Sequence, residues 1–286
     1  PNPAVNKTRS ELLKEKGSEW SIRTDPFGIS GTNTAVLEIS AIPPLDLGKH
    51  LDYLISYPYG CVEQTVSSAF SQLFAGNLLN LDPTQKNNAT QNIMAAIDRL
   101  RLFQTAAGGF SYWPGGEVAD PWGSSYAGHF LQEAKAKGFA VPENLLRNWI
   151  KFQETIARKW QATPIQATSY NKQAHQLEQA YRLFTLALAG EADLGSMNRM
   201  QQSGNLTVQS AWRLAAAYAL AGRTEAAESL IRDISTEITD YRELGFTYGS
   251  RLRDRAMILE SLVILGNLEQ TKGLIEYISG QLSGSG

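Results

Sequence analysis

The feature that most constrains the fold is a repeated change from a strongly apolar segment to a glycine. The segments LFTLALAG, AAAYALAG and LVILGN lead into Gly190, Gly222 and Gly266, and a more polar segment follows each of them. Glycine commonly ends a helix, because it adopts the left-handed conformation without a Cβ clash. The repetition predicts helical hairpins in which an apolar helix lies inside and a polar helix lies outside.

The spacing of the three glycines favours a closed ring over an open stack. They lie 32 and then 44 residues apart, which is too irregular for a solenoid of short repeats. From residue 45 onward nearly every segment has helical periodicity, and we count roughly ten to twelve helices of ordinary length. We therefore expect an all-α domain over residues 44–286, built as an α/α toroid of helical hairpins.

The first 43 residues have a different pattern. Ala35, Leu37 and Ile39 occupy alternate positions ahead of a Pro-Pro pair, which is typical of a strand. One or two strands are marginally stable alone. We expect residues 1–43 to be a partial β segment rather than a domain of its own.

Composition excludes several classes of function. A net charge of -2 over 286 residues offers no basic surface for nucleic acid or for an anionic membrane. No apolar run reaches the roughly 18 residues of a membrane span, so we expect no membrane contact by this segment. The single cysteine excludes an internal disulfide and a cysteine-rich zinc site, and we expect neither a metal nor a cofactor.

That cysteine, Cys61, lies in the stretch YPYGCVEQTVSSAF, at the start of an apolar helix and three residues before Gln64. Residues i and i+3 share a helix face, so the thiol and the carboxamide can meet. Gly60 permits a tight turn into the helix, and a helix N-terminus favours a thiolate. An internal thioester, a caged electrophile open to amines, is one outcome. A lone cysteine is more often a small buried apolar residue.

The motif resembles the thioester sequence of the α2-macroglobulin and complement superfamily, glycine-cysteine-x-glutamate-glutamine. Gly60, Cys61, Glu63 and Gln64 match it residue by residue. The approach AVLEISAIPPLDLGKHLDYLIS and the later GGFSYWPGG and AYRLFTLALAG resemble bacterial members in order and content. The resemblance covers roughly residues 20–283 and implies the thioester domain of a bacterial α2-macroglobulin-like protein.

The resemblance implies an α/α toroid with a Cys61–Gln64 thioester. It implies a broad-spectrum protease inhibitor rather than an enzyme, in which a trapped protease is acylated on lysine amines after its attack on a separate bait region. It further implies a bacterial defence protein of the periplasm, anchored to the inner membrane as a lipoprotein. The other domains of the parent chain are then its partners. Residues 1–43 correspond to part of a flanking β-sandwich or CUB-like domain, and the toroid is expected to lack its last helix.

Supporting roles follow for residues around the motif. Tyr57 and Tyr59 are candidates to cover the thioester, and Glu63 to orient the amide or cap the helix. The glycine-rich loop with Tyr112 is a candidate to line the site. Family members use a histidine or an asparagine of a distant loop in acyl transfer; the matching loop here, residues 161–175, contains Asn171 and His175.

Three other functions stay open from the residues alone. A thioester adhesin that attaches a cell to a surface would use the same chemistry, and a bait region would distinguish the inhibitor from it. A helical-hairpin scaffold with an inert cysteine would show no reactivity at Gln64. An α/α-toroid enzyme is the weakest alternative, since no carboxylate pair or zinc set is evident.

Overall fold

The fold is all-helical in the part of the chain that can be described. The computed structural model describes residues 7, 9, 16–17, 19–35, 37, 39, 55, 57–79, 81–162, 169–239, 241 and 247–283. Within these ranges there are ten helices: α1 Val62–Leu78, α2 Pro83–Leu100, α3 Pro121–Ala136, α4 Glu143–Lys159, α5 Ser169–Leu188, α6 Leu194–Gln202, α7 Val208–Leu220, α8 Thr224–Ile231, α9 Arg251–Ile264 and α10 Thr271–Ser283.

Local sequence explains where several helices begin and end. Pro83 and Pro121 occupy the first turns of α2 and α3, where a missing N–H costs nothing. The predicted terminators Gly190, Gly222 and Gly266 follow α5, α7 and α9 with φ of 82°, 70° and 71°. These positive angles favour glycine, and the predicted helix ends are confirmed.

The helices form two concentric layers. The odd-numbered helices contact one another in succession, α1 with α3, α3 with α5, α5 with α7 and α7 with α9, and the even-numbered helices pack on their outer side. In α7, all residues from Gln209 to Tyr218 are buried, as expected for an inner helix. The predicted α/α toroid, with α5, α7 and α9 inside, is confirmed.

The inner helices meet around a cluster of aromatic and charged side chains, which we call the axial cluster: Phe70, His129, Tyr181, Arg213 and Glu260. The Tyr181 hydroxyl lies 2.9 Å from His129 Nδ1, and Arg213 Nη1 donates to Glu260 Oε2 at 2.6 Å. The Phe70 ring meets the His129 ring edge-on, with centroids 5.0 Å apart. Each of the five inner helices contributes one residue, so the contacts of the cluster connect all five helices.

Burial controls protonation in this cluster. Desolvation lowers the pKa of His129 to about 4, although Glu260 opposes the shift. The neighbouring guanidinium of Arg213 lowers the pKa of Glu260 against the opposing effect of its burial. At neutral pH the histidine is therefore neutral while Arg213 and Glu260 form an ion pair.

Two predictions fall wholly or partly outside the described residues. The first part of the helical region expected from residue 45 onward, residues 45–57, lies almost entirely outside them. The strand expected over residues 35–40 is described only at Ala35, Leu37 and Ile39, which join no β ladder. In the described ranges the β pairing consists of two isolated bridges in the loop after α2, Gln104–Phe110 and Ser111–Ala119. The β segment and the boundary at residue 43 remain predictions.

Candidate functional site: a cysteine and a glutamine at the start of helix α1

Cys61 is the residue that begins the first inner helix. It occupies the N-cap position of α1 in an extended conformation, φ -72° and ψ 175°, and its side chain is free of any disulfide. Only 2% of the residue is exposed. The predicted helix start beside Cys61 is confirmed, and the thiol lies where the unpaired N–H groups of the helix favour negative charge.

Gln64 is folded back over Cys61. Its Oε1 accepts a hydrogen bond from the Cys61 backbone N–H at 3.2 Å, and the Cys61 side chain faces the backbone N–H of Gln64. This reciprocal arrangement is a capping box. The structure thereby brings the thiol and the carboxamide together, as the i, i+3 spacing predicts.

Gly60 makes room for that arrangement. Its φ is 87°, and a Cβ built on it would overlap Gln64 Oε1 and lie 2.9 Å from Gln64 Cδ. Two requirements therefore coincide at Gly60, a left-handed backbone and a missing side chain. The turn is also held from outside, because Arg99 Nη2 donates to the Gly60 carbonyl at 3.2 Å.

Tyr112 and Tyr248 reach the motif from other parts of the chain. The Val62 N–H donates to the Tyr112 carbonyl at 3.0 Å, which places Tyr112 beside the motif. The neighbouring Cys61 side chain is the largest cause of the raised pKa of Tyr112. The Tyr248 ring stacks on Tyr112 with centroids 6.5 Å apart and planes at 6°.

Sequence reasoning identifies Tyr112 only as a member of a lining loop and does not find Tyr248. The glycine-rich stretch around Tyr112 is the available signal, because such a loop approaches other backbone closely. Tyr248 lies nearly 190 residues after the motif (248 less 61 is 187) and carries no local signature. Its backbone φ of 50°, uncommon for a residue with a side chain, is visible only in the structure.

The other predicted residues of the motif, Tyr57, Tyr59 and Glu63, make their contacts elsewhere than with the Cys61 and Gln64 side chains. Tyr57 and Tyr59 pack on each other, with centroids 4.5 Å apart, but are 49% and 71% exposed. Glu63 Oε1 accepts from Ser67 Oγ at 2.8 Å. Shielding by the two tyrosines and an orienting role for Glu63 remain predictions.

The predicted acyl-transfer loop is described only at its ends. Asn171 lies in the first turn of α5, and its side chain is outside the described residues. The His175 ring stacks on Trp160 at 5.7 Å, and its Nε2 lies 3.2 Å from the Gln161 carbonyl oxygen. Burial lowers the pKa of His175. None of these contacts reaches the Cys61–Gln64 pair, and the transfer role of either residue remains a prediction.

The arrangement is suited to acyl chemistry at Gln64. The Cys61 backbone N–H that bonds Oε1 polarises the carbonyl, and a preorganised donor of this kind stabilises a developing oxyanion. The Cys61 thiol is the adjacent nucleophile, and it lies at the N-terminus of α1. A nucleophile, an electrophilic carbonyl and a donor thus converge within one turn of helix.

The fold and this constellation define a class, an α/α toroid whose first inner helix begins at a cysteine-glutamine pair. Comparison with known proteins agrees. The A-macroglobulin TED domain matches residues 36–155. Alpha-2-macroglobulin of Escherichia coli strain K12 is 29% identical over 266 residues, which cover 87% of this chain and 16% of that protein.

Solved structures of bacterial alpha-2-macroglobulins are also similar to this chain. Salmonella alpha-2-macroglobulin reacted with methylamine has a TM-score of 0.71 and 26% identity, over 85% of this chain and 16% of that one. Trypsin-activated alpha-2-macroglobulin from Escherichia coli has a TM-score of 0.66 and 25% identity, over 79% of this chain and 16% of that one. This chain is therefore similar, in sequence and in fold, to part of the bacterial alpha-2-macroglobulins. It spans about a sixth of their length.

Proposed function

We propose that Cys61 and Gln64 form an internal thioester that acylates amines. The observation that carries the proposal is the folded-back Gln64 carboxamide, held beside a buried cysteine by the Cys61 N–H and given space by Gly60. In ring closure the Cys61 thiol gives up its proton and attacks Gln64 Cδ, a C–S bond forms, the C–N bond breaks, and the amide nitrogen takes that proton and leaves as ammonia. In the second step an amine attacks the same carbon, an amide forms, and the thiolate leaves and is protonated.

The biological role we propose is covalent protease trapping within a longer chain. The relatives are bacterial alpha-2-macroglobulins, and two of their structures were solved after reaction with methylamine or activation by trypsin. Lysine amines of an attacking protease are the matching nucleophiles. We place the parent protein in the periplasm as an anchored lipoprotein inhibitor. Among the helices of the described ranges, none has both the length and the apolarity to cross a membrane.

Intact-mass measurement before and after methylamine tests the thioester. We expect the untreated chain to be one ammonia lighter than its sequence, with no titratable thiol, and to gain one methylamine as the thiol appears. Cys61→Ala should have the full sequence mass and take up nothing. A native chain of full sequence mass with a freely titrating thiol and an unmodified Gln64 would refute ring closure.

Protease capture has a separate test. Trypsin with free lysines should form an adduct with the chain that survives denaturation, and reductively dimethylated trypsin should not. Prior treatment of the chain with methylamine should prevent the adduct. Equal capture of both forms of trypsin would contradict lysine acylation even if the thioester itself is present.

A further inference from the structure

Arg99 reaches the motif from the outer helix α2. Its Nη2 donates to the Gly60 carbonyl oxygen at 3.2 Å. Gly60 and Cys61 share one peptide group, and the N–H of that same group, on Cys61, donates to Gln64 Oε1 at 3.2 Å. The guanidinium of Arg99 and the carboxamide oxygen of Gln64 therefore lie at the two ends of a single peptide dipole.

The surroundings of Arg99 leave its charge directed at this peptide. Within the described ranges, the hydrogen-bonding and cation-π contacts of its side chain are the Gly60 bond and the Phe103 ring, whose centroid lies 5.6 Å from the guanidinium carbon. Phe103 is fully buried, and Arg99 Nε is buried without a hydrogen-bond partner among the described residues. Because charges act more strongly where water is excluded, the guanidinium polarises the Gly60–Cys61 peptide more than it would at an open surface.

Other bonds also hold the backbone at the start of α1. The Cys61 carbonyl accepts from the Thr65 N–H at 2.9 Å, within the first turn of the helix. The N–H of the next residue, Val62, donates to the Tyr112 carbonyl at 3.0 Å. Because these bonds remain when the Arg99 side chain is shortened or neutralised, loss of the Arg99 bond should weaken the Cys61 donor without moving it far.

We propose that Arg99 is a positioning residue of this site, which strengthens the Cys61 N–H as the donor to Gln64 Oε1. The assignment rests on the proposed thioester for its role in turnover. When an amine attacks Gln64 Cδ, the carbonyl electron pair moves to Oε1, and the Cys61 N–H stabilises that charge. The pair then returns, the C–S bond breaks, and the thiolate takes the proton that the amine gives up. Arg99 transfers no atom in these steps; its bond to the Gly60 carbonyl withdraws electron density from the peptide and makes the N–H a stronger donor.

The expected effect of Arg99 on the rate of amine uptake follows from the size of each contribution. One oxyanion donor contributes roughly 100- to 1000-fold, and a neighbouring hydrogen bond strengthens a donor by about 10–30%. Together these values correspond to about two- to eightfold, and we expect Arg99→Met to slow methylamine uptake about fivefold. Arg99→Lys keeps a charged donor, so its uptake should remain within about twofold of wild type.

Two readouts in the same variants test the assignment. The first is the rate of methylamine uptake by intact mass. The second is the amide proton signal of Cys61, which is the single signal of a chain labelled with ¹⁵N-cysteine, because the chain has one cysteine. A weaker hydrogen bond leaves an amide proton more shielded, so Arg99→Met should shift this signal upfield. Arg99→Lys should restore it toward the wild-type position.

Arg199→Met is the matched control for Arg99→Met. Arg199 Nη2 donates to the Ala157 carbonyl at 3.0 Å and to the Arg158 carbonyl at 3.2 Å, at the end of α4. The control variant removes the same kind of bond and should change neither the uptake rate nor the Cys61 signal. Equal slowing in the two methionine variants would mean that lost stability, not the bond to Gly60, sets the rate, and it would overturn the assignment.

Failure of this inference is distinguishable from failure of the proposed function. If the wild-type chain carries no thioester, the proposed function fails, and the Cys61 amide signal alone decides whether Arg99 strengthens the donor. An unchanged signal in Arg99→Met overturns the assignment, and so does an uptake rate that equals or exceeds the wild-type rate. Should Arg99→Met not fold, Arg99→Gln, which removes the charge, takes its place under the same criteria.

Discussion

Helices α1 and α2 begin with nearly the same backbone geometry and differ in what surrounds it. Cys61 has φ -72° and ψ 175°, and Asp82 has φ -70° and ψ 168°. In α1, Gln64 Oε1 accepts from the Cys61 N–H at 3.2 Å; in α2, Gln85 Oε1 accepts from the Asp82 N–H at 3.0 Å. A glutamine folded over its N-cap is thus a common helix start, and by itself it implies no chemistry.

The surroundings distinguish the two starts. Asp82 is exposed at the beginning of an outer helix, whereas Cys61 is buried at the beginning of an inner one. Cys61 also follows the left-handed Gly60, and the N–H of the next residue, Val62, donates to the Tyr112 carbonyl. The comparison indicates that the capping box brings the side chains of the cap residue and the glutamine close together. We expect the proposed reactivity to depend on the identity of the cap residue, on its burial and on its neighbours.

The largest expected effect separates the two capping boxes directly. Gln64→Ala removes the electrophilic carbonyl, so methylamine uptake should be lost completely. Gln85→Ala removes the equivalent cap from α2 and should leave uptake unchanged. Each variant should lose less than about 1 kcal/mol of unfolding free energy, since one cap contact is removed. Uptake that persists in Gln64→Ala, measured by intact mass, would place the chemistry elsewhere.

An ion pair among the inner helices and an ion pair on the surface are expected to contribute differently to the free energy of unfolding. Arg213, with 1% of its side chain exposed, pairs with Glu260 in the axial cluster, whereas Arg158, 62% exposed, pairs with Asp193 on the surface. Breaking a buried pair is costly, and a surface pair contributes little. We expect Arg213→Met to lower the unfolding free energy by about 3 kcal/mol. Arg158→Met should lower it by less than about 1 kcal/mol in the same urea titration.

Acid should lower the free energy of unfolding through His129, which lies in the axial cluster of the inner helices. Its pKa in the folded chain, about 4, lies below the ordinary 6.5, so below pH 6.5 the unfolded chain binds a proton that the folded chain does not. Unfolding free energy should therefore fall between pH 6.5 and 4, by on the order of 3 kcal/mol from this group.

The matched variant for this effect is His129→Asn, which does not titrate. The difference between wild type and variant in the slope of unfolding free energy against pH gives the contribution of His129. Glu178, whose pKa burial raises to about 7, contributes a slope of opposite sign to both proteins, since its folded form loses stability as pH rises from 4.5 to 7. Equal slopes in the two urea series would mean that His129 is not held neutral by the fold.

Gly60 allows a finer test of the α1 start. Gly60→Ala imposes a Cβ on a left-handed backbone and displaces Gln64, whereas Gly138→Ala imposes the same strain at φ 89° with nothing within 4 Å. We expect the first variant to lose about 2 kcal/mol of unfolding free energy and the second about 1 kcal/mol. Thioester content, by intact mass, should fall only in Gly60→Ala. Normal content there would show that Gln64 has another route to the thiol.

The smallest expected effect comes from Asp82→Cys, which gives α2 a cysteine-glutamine pair without the buried setting. We expect the mass to change by the substitution alone, with no second loss of ammonia. The new thiol should titrate at once with a thiol reagent, because residue 82 is exposed. A second ammonia lost from the chain would show that the capping box suffices and that burial, Gly60 and Tyr112 are unnecessary.

Much of this protein is determined by local sequence. The apolar segments that run into Gly190, Gly222 and Gly266 determine where three inner helices end, because each glycine adopts a backbone that other residues avoid. The i, i+3 spacing of Cys61 and Gln64 determines that the pair shares one helix turn. These properties depend on contacts between residues close in the chain, so the sequence alone predicts them.

Tertiary structure decides what surrounds the pair. Tyr112 and Tyr248 stand 51 and 187 residues after Cys61 in the chain. The Tyr112 carbonyl accepts from the Val62 N–H at the start of α1, and the Tyr248 ring stacks on Tyr112, because the segments that precede α3 and α9 converge there. Within the axial cluster, the contacts among His129, Arg213 and Glu260 likewise join three helices that share no common motif. Such contacts arise from how distant helices pack, and no local pattern of hydrophobicity or spacing specifies which side chains will face one another.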